Sequence, residues 1–230
     1  MSLRLSTRLA AVAAQVLPGR PMADIGCDHA QLAGWVVQTG VVPHAIGSDL
    51  REGPLGQARA QLAEAGISRV ELRRGSGLET LAPGDVATIA LAGMGGGLML
   101  SLLDAQPDIA RQADRIILQP NTAWTEVRTW LAQRRLVLHD ETLHEDAGRM
   151  YLTVSFCLRE TGATWSPADI AVGPRLRRTR PPVFERWLAA EQARLDALAD
   201  SLREELGATH PRVTTLLAER EALVRAAAAS

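Results

Sequence analysis

The sequence of 230 residues predicts an α/β protein whose mostly parallel sheet is followed by a helical hairpin. Apolar segments with strand character alternate with amphipathic helical segments through five units, which favours parallel strands joined by right-handed crossovers. Two further strands are separated only by the turn 144–149, which is too short for a helical crossover, so we expect them to pair antiparallel. After residue 183, apolar residues recur at helical spacing in two segments separated by a turn.

Several of these elements are bounded by residues with a strong structural preference. Pro18 and Gly19 end the first helix, Pro54 suits the first turn of the third helix, and Gly66 ends it. In chain order, the predicted elements are helix 4–17, strand 21–26, helix 31–39, strand 44–50, helix 54–65, strand 70–74, strand 86–92, helix 98–103, strand 115–119, helix 122–135, strands 136–143 and 150–158, and two helices on either side of the turn 207–211.

These elements divide the chain into three parts. Residues 1–160 are expected to form the sheet domain, 161–180 a polar linker, and 181–230 a helical, coiled-coil-like domain. Five parallel strands closed by an antiparallel hairpin give the outline of a Rossmann-like class I methyltransferase. Fold alone does not fix function, so the side chains at the strand ends must carry that argument.

Composition excludes several classes of protein. A hydrophobic fraction of 47% is enough for a core, but the apolar runs are shorter than the roughly 18 residues of a membrane span. The N-terminus lacks the apolar region of a secretory signal. Cys27 and Cys157 lie far apart and predict neither a zinc site nor a disulfide framework. We therefore expect a cytoplasmic protein without a metal site.

The positive charge is concentrated in arginine. The net charge of −1 argues against a globally basic nucleic-acid binder, yet all 25 positive residues are Arg. Four of them form a run without an intervening acid: Arg175, Arg177, Arg178 and Arg180. Because the guanidinium group suits phosphate, the run predicts contact with a nucleic-acid backbone. The alternative is a solvated linker in a protein that uses Arg for Lys throughout.

Acidic and small residues occupy successive strand ends. Asp24 and Asp49 end the first two strands, Gly26 follows the first, and glycine-rich turns follow strands three and four. In parallel sheets these ends share one edge, where ligands bind, and an acid after the second strand accepts hydrogen bonds from ribose. Neither a dinucleotide fingerprint nor a P-loop is present. Because carboxylates repel phosphate, the rim favours S-adenosylmethionine over a nicotinamide cofactor.

Five motifs together resemble those of the TrmK family, and the match extends over nearly the whole chain. They are 24–30 (Asp-Ile-Gly-Cys-Asp-His-Ala), 53–54 (Gly-Pro), 74–78 (Arg-Gly-Ser-Gly-Leu), 92–96 (Ala-Gly-Met-Gly-Gly) and 118–121 (Leu-Gln-Pro-Asn), and the later 172–174 (Val-Gly-Pro) also matches. The resemblance implies a bacterial enzyme that transfers methyl from S-adenosylmethionine to N1 of adenine 22 in tRNA.

The resemblance also implies the residues that bind the cofactor. Two departures from the family pattern lie among them or next to them: Ser76 stands where the family usually has Asp, and Gln31 where it often has an aromatic residue. Trp35 is a candidate replacement for that aromatic ring. The expected cofactor-binding residues are Asp24, Gly26, Asp49, Ser76, Gly77, Gly93, Met94 and Gly95.

Methylation of adenine at N1 needs alignment more than deprotonation, because N1 already carries a lone pair. As N1 gains the methyl group, positive charge spreads to the exocyclic amine, and a carboxylate beside it stabilises that charge. Asp28 is the candidate, with a helix cap as the alternative role. Asn121 is expected to face the target base, with a turn Asn as the alternative. His29 is expected to contact substrate phosphate or to orient Asp28, with helix capping or burial as alternatives.

Two other functions remain open from sequence alone. One is a methyltransferase with a small-molecule or protein substrate, and the other is a non-catalytic RNA-binding module that retains the fold. The arginine run and the helical tail weigh against the first, whereas Ser76 is the main argument for the second. The tail either docks on tRNA and the sheet domain or forms a dimer seam. We expect the first, and hence a monomer.

Overall fold

The computed structural model of the protein describes residues 2–228. It contains a seven-stranded sheet with the order β3-β2-β1-β4-β5-β7-β6. The first five strands are parallel to one another. The last two form an antiparallel hairpin, and β7 of this hairpin pairs antiparallel with β5. The Rossmann-like fold class predicted from the sequence is therefore confirmed.

The helices and strands follow the predicted order with shifted ends. They are α1 (Thr7–Ala13), β1 (Met22–Ile25), α2 (Gln31–Gln38), β2 (Ala45–Asp49), α3 (Glu52–Glu64), β3 (Val70–Arg74), a short 3-10 helix (Gly77–Thr80), β4 (Thr88–Ala92), α4 (Gly96–Ala105), α5 (Pro107–Gln112), β5 (Arg115–Gln119), α6 (Trp124–Gln133), β6 (Leu136–Asp146), β7 (Arg149–Thr161), α7 (Pro167–Val172), α8 (Pro174–Thr179), α9 (Phe184–Leu206) and α10 (Pro211–Ala228).

The sheet is covered on both faces, so its central strands are buried along their whole length. Because side chains alternate along a strand, Ala23 and Ile25 pack in one core cluster and Met22 packs in the other. The first cluster includes residues of α4 and α6, and the second includes residues of α1, α2 and α3. This two-sided packing leaves the carboxyl ends of β1, β2, β4 and β5 as one continuous rim.

The segment 161–180, predicted as a linker, contains the two short helices α7 and α8. They pack on the sheet through Val172 and Leu176, which are fully buried in the first core cluster. The helices α9 and α10 follow, and the base of this helical hairpin enters the same cluster through Trp187 and Leu223. Where the sequence predicts a polar linker, the segment thus forms two helices that are anchored on the sheet by buried apolar side chains.

Three other boundaries differ from prediction. The first helix covers only Thr7–Ala13, because the Ser6 side chain accepts a hydrogen bond from the Leu9 amide and caps the helix there. The short helix α5 was not predicted, since Pro107 at its first turn is its main local signal. The strands of the β6–β7 hairpin run to the two-residue turn formed by Ala147 and Gly148, both with positive φ.

Within residues 2–228, no helix combines the length and apolar character needed to cross a membrane. The same part of the chain holds no group of three or more His, Cys, Asp or Glu side chains placed to bind a metal ion.

Candidate active site

The parallel register brings the predicted site residues to one edge of the sheet. Asp24 on β1 lies between Gly47 of β2 and Ala90 of β4, so the loops that follow these three strands emerge side by side. The loop after β5 joins them, because the Gly93 amide donates to the Gln119 carbonyl oxygen at 3.1 Å. The rim predicted from the sequence is thus a single surface in the structure.

The loop after β1 is held in an unusual backbone conformation. Asp28 and Ala30 have φ values of 50° and 53°, a region that residues other than glycine seldom occupy. Gly26 also has a positive φ, and a Cβ atom placed there would lie 2.7 Å from the Met94 Cε atom. The conformation therefore favours glycine here, and the end of the Met94 side chain would have to shift to admit a Cβ atom.

Asp28 projects from this loop into the cleft. Its backbone N–H donates to Oδ2 of Asp49 at 3.3 Å, while its own side chain is 58% exposed. The helix-cap alternative for Asp28 is wrong, because Ala30 is the N-cap of α2 and no side chain caps that helix. The carboxylate lies 3.4 Å from His29 Nε2 and 3.9 Å from Arg51 Nη2.

Asp49 ends β2 and organises the loops around it. It is buried, and its two oxygens accept hydrogen bonds from the backbone amides of Asp28 at 3.3 Å and Arg51 at 2.9 Å. Each carboxylate oxygen has a second lone pair, so the group still has capacity to accept from a ligand hydroxyl. Asp49 thus fits the ribose-binding role expected of an acid at this position.

Asp24 is the most deeply buried acid of the cleft. Burial raises the pKa of Asp24 to about 7, with the Asp49 charge adding to the rise and the Arg8 charge opposing it. The neighbouring Cys27 thiol also has a raised pKa, first because it is buried and then because Asp24 and Asp49 are close, which disfavours its thiolate form. A carboxyl group poised near neutrality gains its charge when a cation is placed beside it.

Arg8 supplies the cation of the cleft and was missed by the sequence interpretation. It lines the same concave surface as Asp24, Gly26, Asp28 and His29. Its Nη1 atom donates to Gln119 Oε1 at 2.6 Å, and it would lie 3.1 Å from a Cβ atom on Gly93. The only local signal is a basic residue on a short amphipathic helix, which does not distinguish Arg8 from a solvated arginine.

The loops after β4 and β5 brace each other. The Asn121 side chain donates to the Gly93 carbonyl oxygen at 2.7 Å, and the Asn121 backbone N–H donates to that of Met94 at 2.9 Å. Gly95 is the N-cap of α4, and the next residue packs so closely on Thr122 that a Cβ atom there would lie 2.8 Å from the Thr122 carbonyl oxygen. Asn121 therefore positions the glycine loop, and its predicted contact with the target base stays a prediction.

The loop after β3 carries the departure from the family pattern. Ser76 stands where the family usually has Asp. A carboxylate is nevertheless close, because the Ser76 backbone N–H donates to the Glu79 side chain at 2.6 Å. Gly77 has a φ of 54° and lies against Leu102. Trp35, the alternative aromatic platform, packs against the second core cluster, whereas Gln31 lines the cleft.

The arginine run is mostly engaged within the protein. Arg175 donates to the Leu138 carbonyl oxygen, Arg177 pairs with Asp169 at 3.2 Å, and Arg180 pairs with Glu185 at 2.5 Å. Arg178 is exposed and forms no ion pair with any described residue. Three of the four arginines predicted to contact phosphate thus have partners within the protein. Arg178 is the one that faces solvent without an acidic partner among the described residues.

The geometry fits S-adenosylmethionine. The cleft places a guanidinium and a buried carboxyl group together, which suits the charged amino-acid end, and an acceptor at β2, which suits the ribose. It also provides a glycine cradle closed by Met94. These features define a class I methyltransferase. In agreement, residues 5–154 match the family described as "Methyltransferase domain".

Comparison with known proteins specifies the family. The chain is 35% identical over 191 residues to the tRNA (adenine(22)-N(1))-methyltransferase of Bacillus subtilis, covering 80% of each sequence. The crystal structure of B. subtilis TrmK has a TM-score of 0.84 at 31% identity, over 98% of this chain and 99% of that one. Streptococcus pneumoniae Sp1610, solved with S-adenosyl-L-methionine, has a TM-score of 0.85 at 28% identity, over 97% and 100%. This chain belongs to the TrmK family, and the predicted resemblance is confirmed.

Proposed function

We propose that this protein transfers the methyl group of S-adenosylmethionine to N1 of adenine 22 in tRNA. The relationship to the B. subtilis enzyme over most of both chains supports this activity. The observation that carries it structurally is the convergence of Asp24, Asp28 and Asp49 on one rim with Arg8. The same relationship disfavours a small-molecule or protein substrate and a non-catalytic RNA-binding role.

The cofactor supplies an electrophilic methyl group on a sulfonium centre. In our proposal Asp49 accepts hydrogen bonds from the ribose, and Asp24 and Arg8 hold the ammonium and carboxylate of the amino-acid end. Gly26, Gly93, Met94 and Gly95 let the backbone approach closely, while Ser76 and Gly77 contact the adenine ring of the cofactor. Two observations support these roles: the Asp49 carboxylate is buried at the end of β2, and Gly26 and Gly93 have positive φ in the loops after β1 and β4.

The residues of the rim act on the target base mainly by alignment. Holding the adenine N1 lone pair in line with the methyl group lowers the barrier by proximity, which needs no strong base. Asp28 accepts a hydrogen bond from the exocyclic amine and stabilises the positive charge that grows on the ring. His29, 3.4 Å from Asp28, orients this carboxylate, and Asn121 fixes the glycine loop beside the reaction centre.

We infer that the protein binds tRNA as a monomer in the cytoplasm. The apolar face at the base of the helical hairpin is covered by its own sheet domain through Phe184, Trp187 and Leu188, which leaves less apolar surface for a dimer seam. Arg178 is the arginine of the run best placed to contact phosphate. Arg178→Gln should make the slope of log affinity for tRNA against log salt concentration less steep, by about the amount expected for one phosphate contact.

The activity is tested with two unmodified tRNA transcripts that differ only at position 22. The enzyme and S-adenosylmethionine should form 1-methyladenosine, detected by nucleoside analysis, in the transcript with adenine 22. The transcript with guanine at that position should remain unmethylated. Methylation that is equal on both transcripts, or absent from both while the cofactor still binds, would overturn the proposed function.

A further inference from the structure

A cavity of about 580 Å³ lies between α6 and the helical hairpin, next to the cofactor cleft. Asn121 and Thr122 line one part of it, and the start of α6, Met150 and residues of α7, α9 and α10 line the rest. None of the charged cleft residues, Arg8, Asp24 or Asp28, belongs to its wall. The cavity therefore borders the loop that Asn121 braces against Gly93, but it is chemically separate from the cofactor site.

Two tryptophans form an aromatic part of the wall. The ring centroids of Trp124 and Trp187 are 5.9 Å apart and the rings are inclined by 30°. The indole N–H of Trp124 already donates to the Pro120 carbonyl oxygen at 2.9 Å, so this ring is held in place by its own loop. A fixed aromatic surface at the end of a catalytic rim suits a flat base, since base stacking on aromatic rings is tolerant of sequence.

The polar side chains of the cavity wall differ in burial. Arg194 and Glu219 are exposed, and the partly buried Glu191 pairs with Arg194 at 2.6 Å, whereas the buried Arg128 at the inner end offers only hydrogen-bond donors. Arg128 is almost fully buried; its Nε donates to Glu141 at 3.1 Å and its Nη1 to the Ala171 carbonyl oxygen at 3.2 Å. Its Nη2 atom has no hydrogen-bond partner among the described residues. The first turn of α6 lies on the same wall and receives no side-chain cap, because its N-cap is Ala123. A ligand that carries a carbonyl oxygen satisfies such donors.

We propose that this cavity receives a second base of the tRNA, one that flanks the methylated adenine and carries a carbonyl oxygen. This inference rests on the proposed function. The methylated adenine itself needs an acceptor for its exocyclic amine, which Asp28 provides at the cleft, whereas the inner end of the cavity offers donors. A volume of about 580 Å³ is within the usual range of small-molecule sites and accommodates a nucleotide.

The proposal is tested by steady-state kinetics with tRNA as the varied substrate. Trp124→Ala should raise the KM for tRNA about tenfold, the scale expected for one lost base–aromatic contact, and Trp124→Phe should restore most of it. The dissociation constant for S-adenosylmethionine should stay within twofold of wild type in both variants. A KM for Trp124→Ala within twofold of wild type, or a parallel loss of cofactor affinity, would overturn the proposal.

A second pair of variants does not depend on removing a packed tryptophan. Ala222→Trp on α10 places a large ring in the cavity wall, and Val224→Trp adds the same ring at an exposed position of that helix outside the wall. Only the first should raise the KM for tRNA. Equal KM values for the two variants would contradict the proposal. A wild-type enzyme that fails to methylate tRNA would instead refute the proposed function.

Discussion

The Arg8 guanidinium donates a 2.6 Å hydrogen bond to the side-chain oxygen of Gln119, and this bond joins α1 to the end of β5 across 111 residues of sequence. Gln119 is fully buried, and the Arg8 backbone N–H donates to Asp146 at the tip of the β6–β7 hairpin. The Arg8 guanidinium also lies 5.8 Å from the centre of the Tyr151 ring. Three elements thus fix one cation at the inner end of the cofactor cleft.

Replacing Arg8 should weaken cofactor binding. Arg8→Met removes the cation that we assign to the cofactor carboxylate, and a lost charge-assisted hydrogen bond of about 2 kcal/mol corresponds to a roughly 30-fold higher dissociation constant. Isothermal titration calorimetry with S-adenosylmethionine measures this dissociation constant. Arg8→Lys keeps the charge and should lose less. An unchanged dissociation constant in a folded Arg8→Met protein would remove Arg8 from the binding site.

Asp28 should be needed for turnover rather than for cofactor binding. Asp28→Asn is the suitable variant, because asparagine tolerates the positive φ of this position and keeps the side-chain volume. Loss of the carboxylate beside the exocyclic amine should lower kcat about 100-fold. Titration with the cofactor should give the wild-type affinity. If kcat and cofactor affinity instead fall together, Asp28 serves to shape the loop.

Asp24 should make the stability of the cofactor-free protein depend on pH. Its pKa of about 7 in the folded protein lies above the ordinary value of 3.8, so the folded state binds the proton more tightly than the unfolded state. Its contribution is fully present below about pH 4 and is lost as pH rises towards 7, by at most about 4 kcal/mol. Asp24→Asn removes the titrating group, so urea unfolding from pH 4 to 8 should show a flatter profile than wild type. Parallel profiles would contradict this.

Local sequence signals were sufficient to predict the sheet and the acidic and glycine residues at the ends of its strands. Asp24, Gly26 and Asp49 follow apolar strands directly, and parallel strand ends must share an edge, so their proximity was predictable. Arg8 was not predictable in this way, because its role depends on a partner 111 residues away. Its sequence neighbourhood is that of any short amphipathic helix.

The segment 161–180 shows the same limit from the other direction. In the sequence its arginines suggest contact with phosphate or, as the alternative, a solvated linker. In the structure Arg175 and Leu176 are bonded to Leu138 and Glu141 of β6, more than 30 residues earlier. A buried carboxylate inside a strand is rare enough to indicate a partner, yet the sequence does not reveal which one. The two helices were therefore not predicted, because the polar contacts that hold this segment join residues far apart in the sequence.

Removing the carboxylate of Glu141 should destabilise the junction between sheet and helical hairpin. Its side chain is fully buried and accepts from Arg128 Nε at 3.1 Å and from the backbone amides of Arg175 and Leu176 at 3.0 and 3.2 Å. Glu141→Ala leaves the Arg128 charge buried without a counterion, which should cost about 3–5 kcal/mol of unfolding free energy, measured by urea denaturation.

The exposed pair of Arg203 and Asp200 on α9 provides the control for this loss, because Asp200→Ala should change the same free energy by less than about 1 kcal/mol. The double variant Glu141→Ala, Arg128→Met removes both buried charges and should recover part of the stability, since the cost in the single variant is largely that of an uncompensated cation. If the double variant is less stable than Glu141→Ala by a further 3 kcal/mol or more, packing by the arginine stem rather than charge pairing holds this junction.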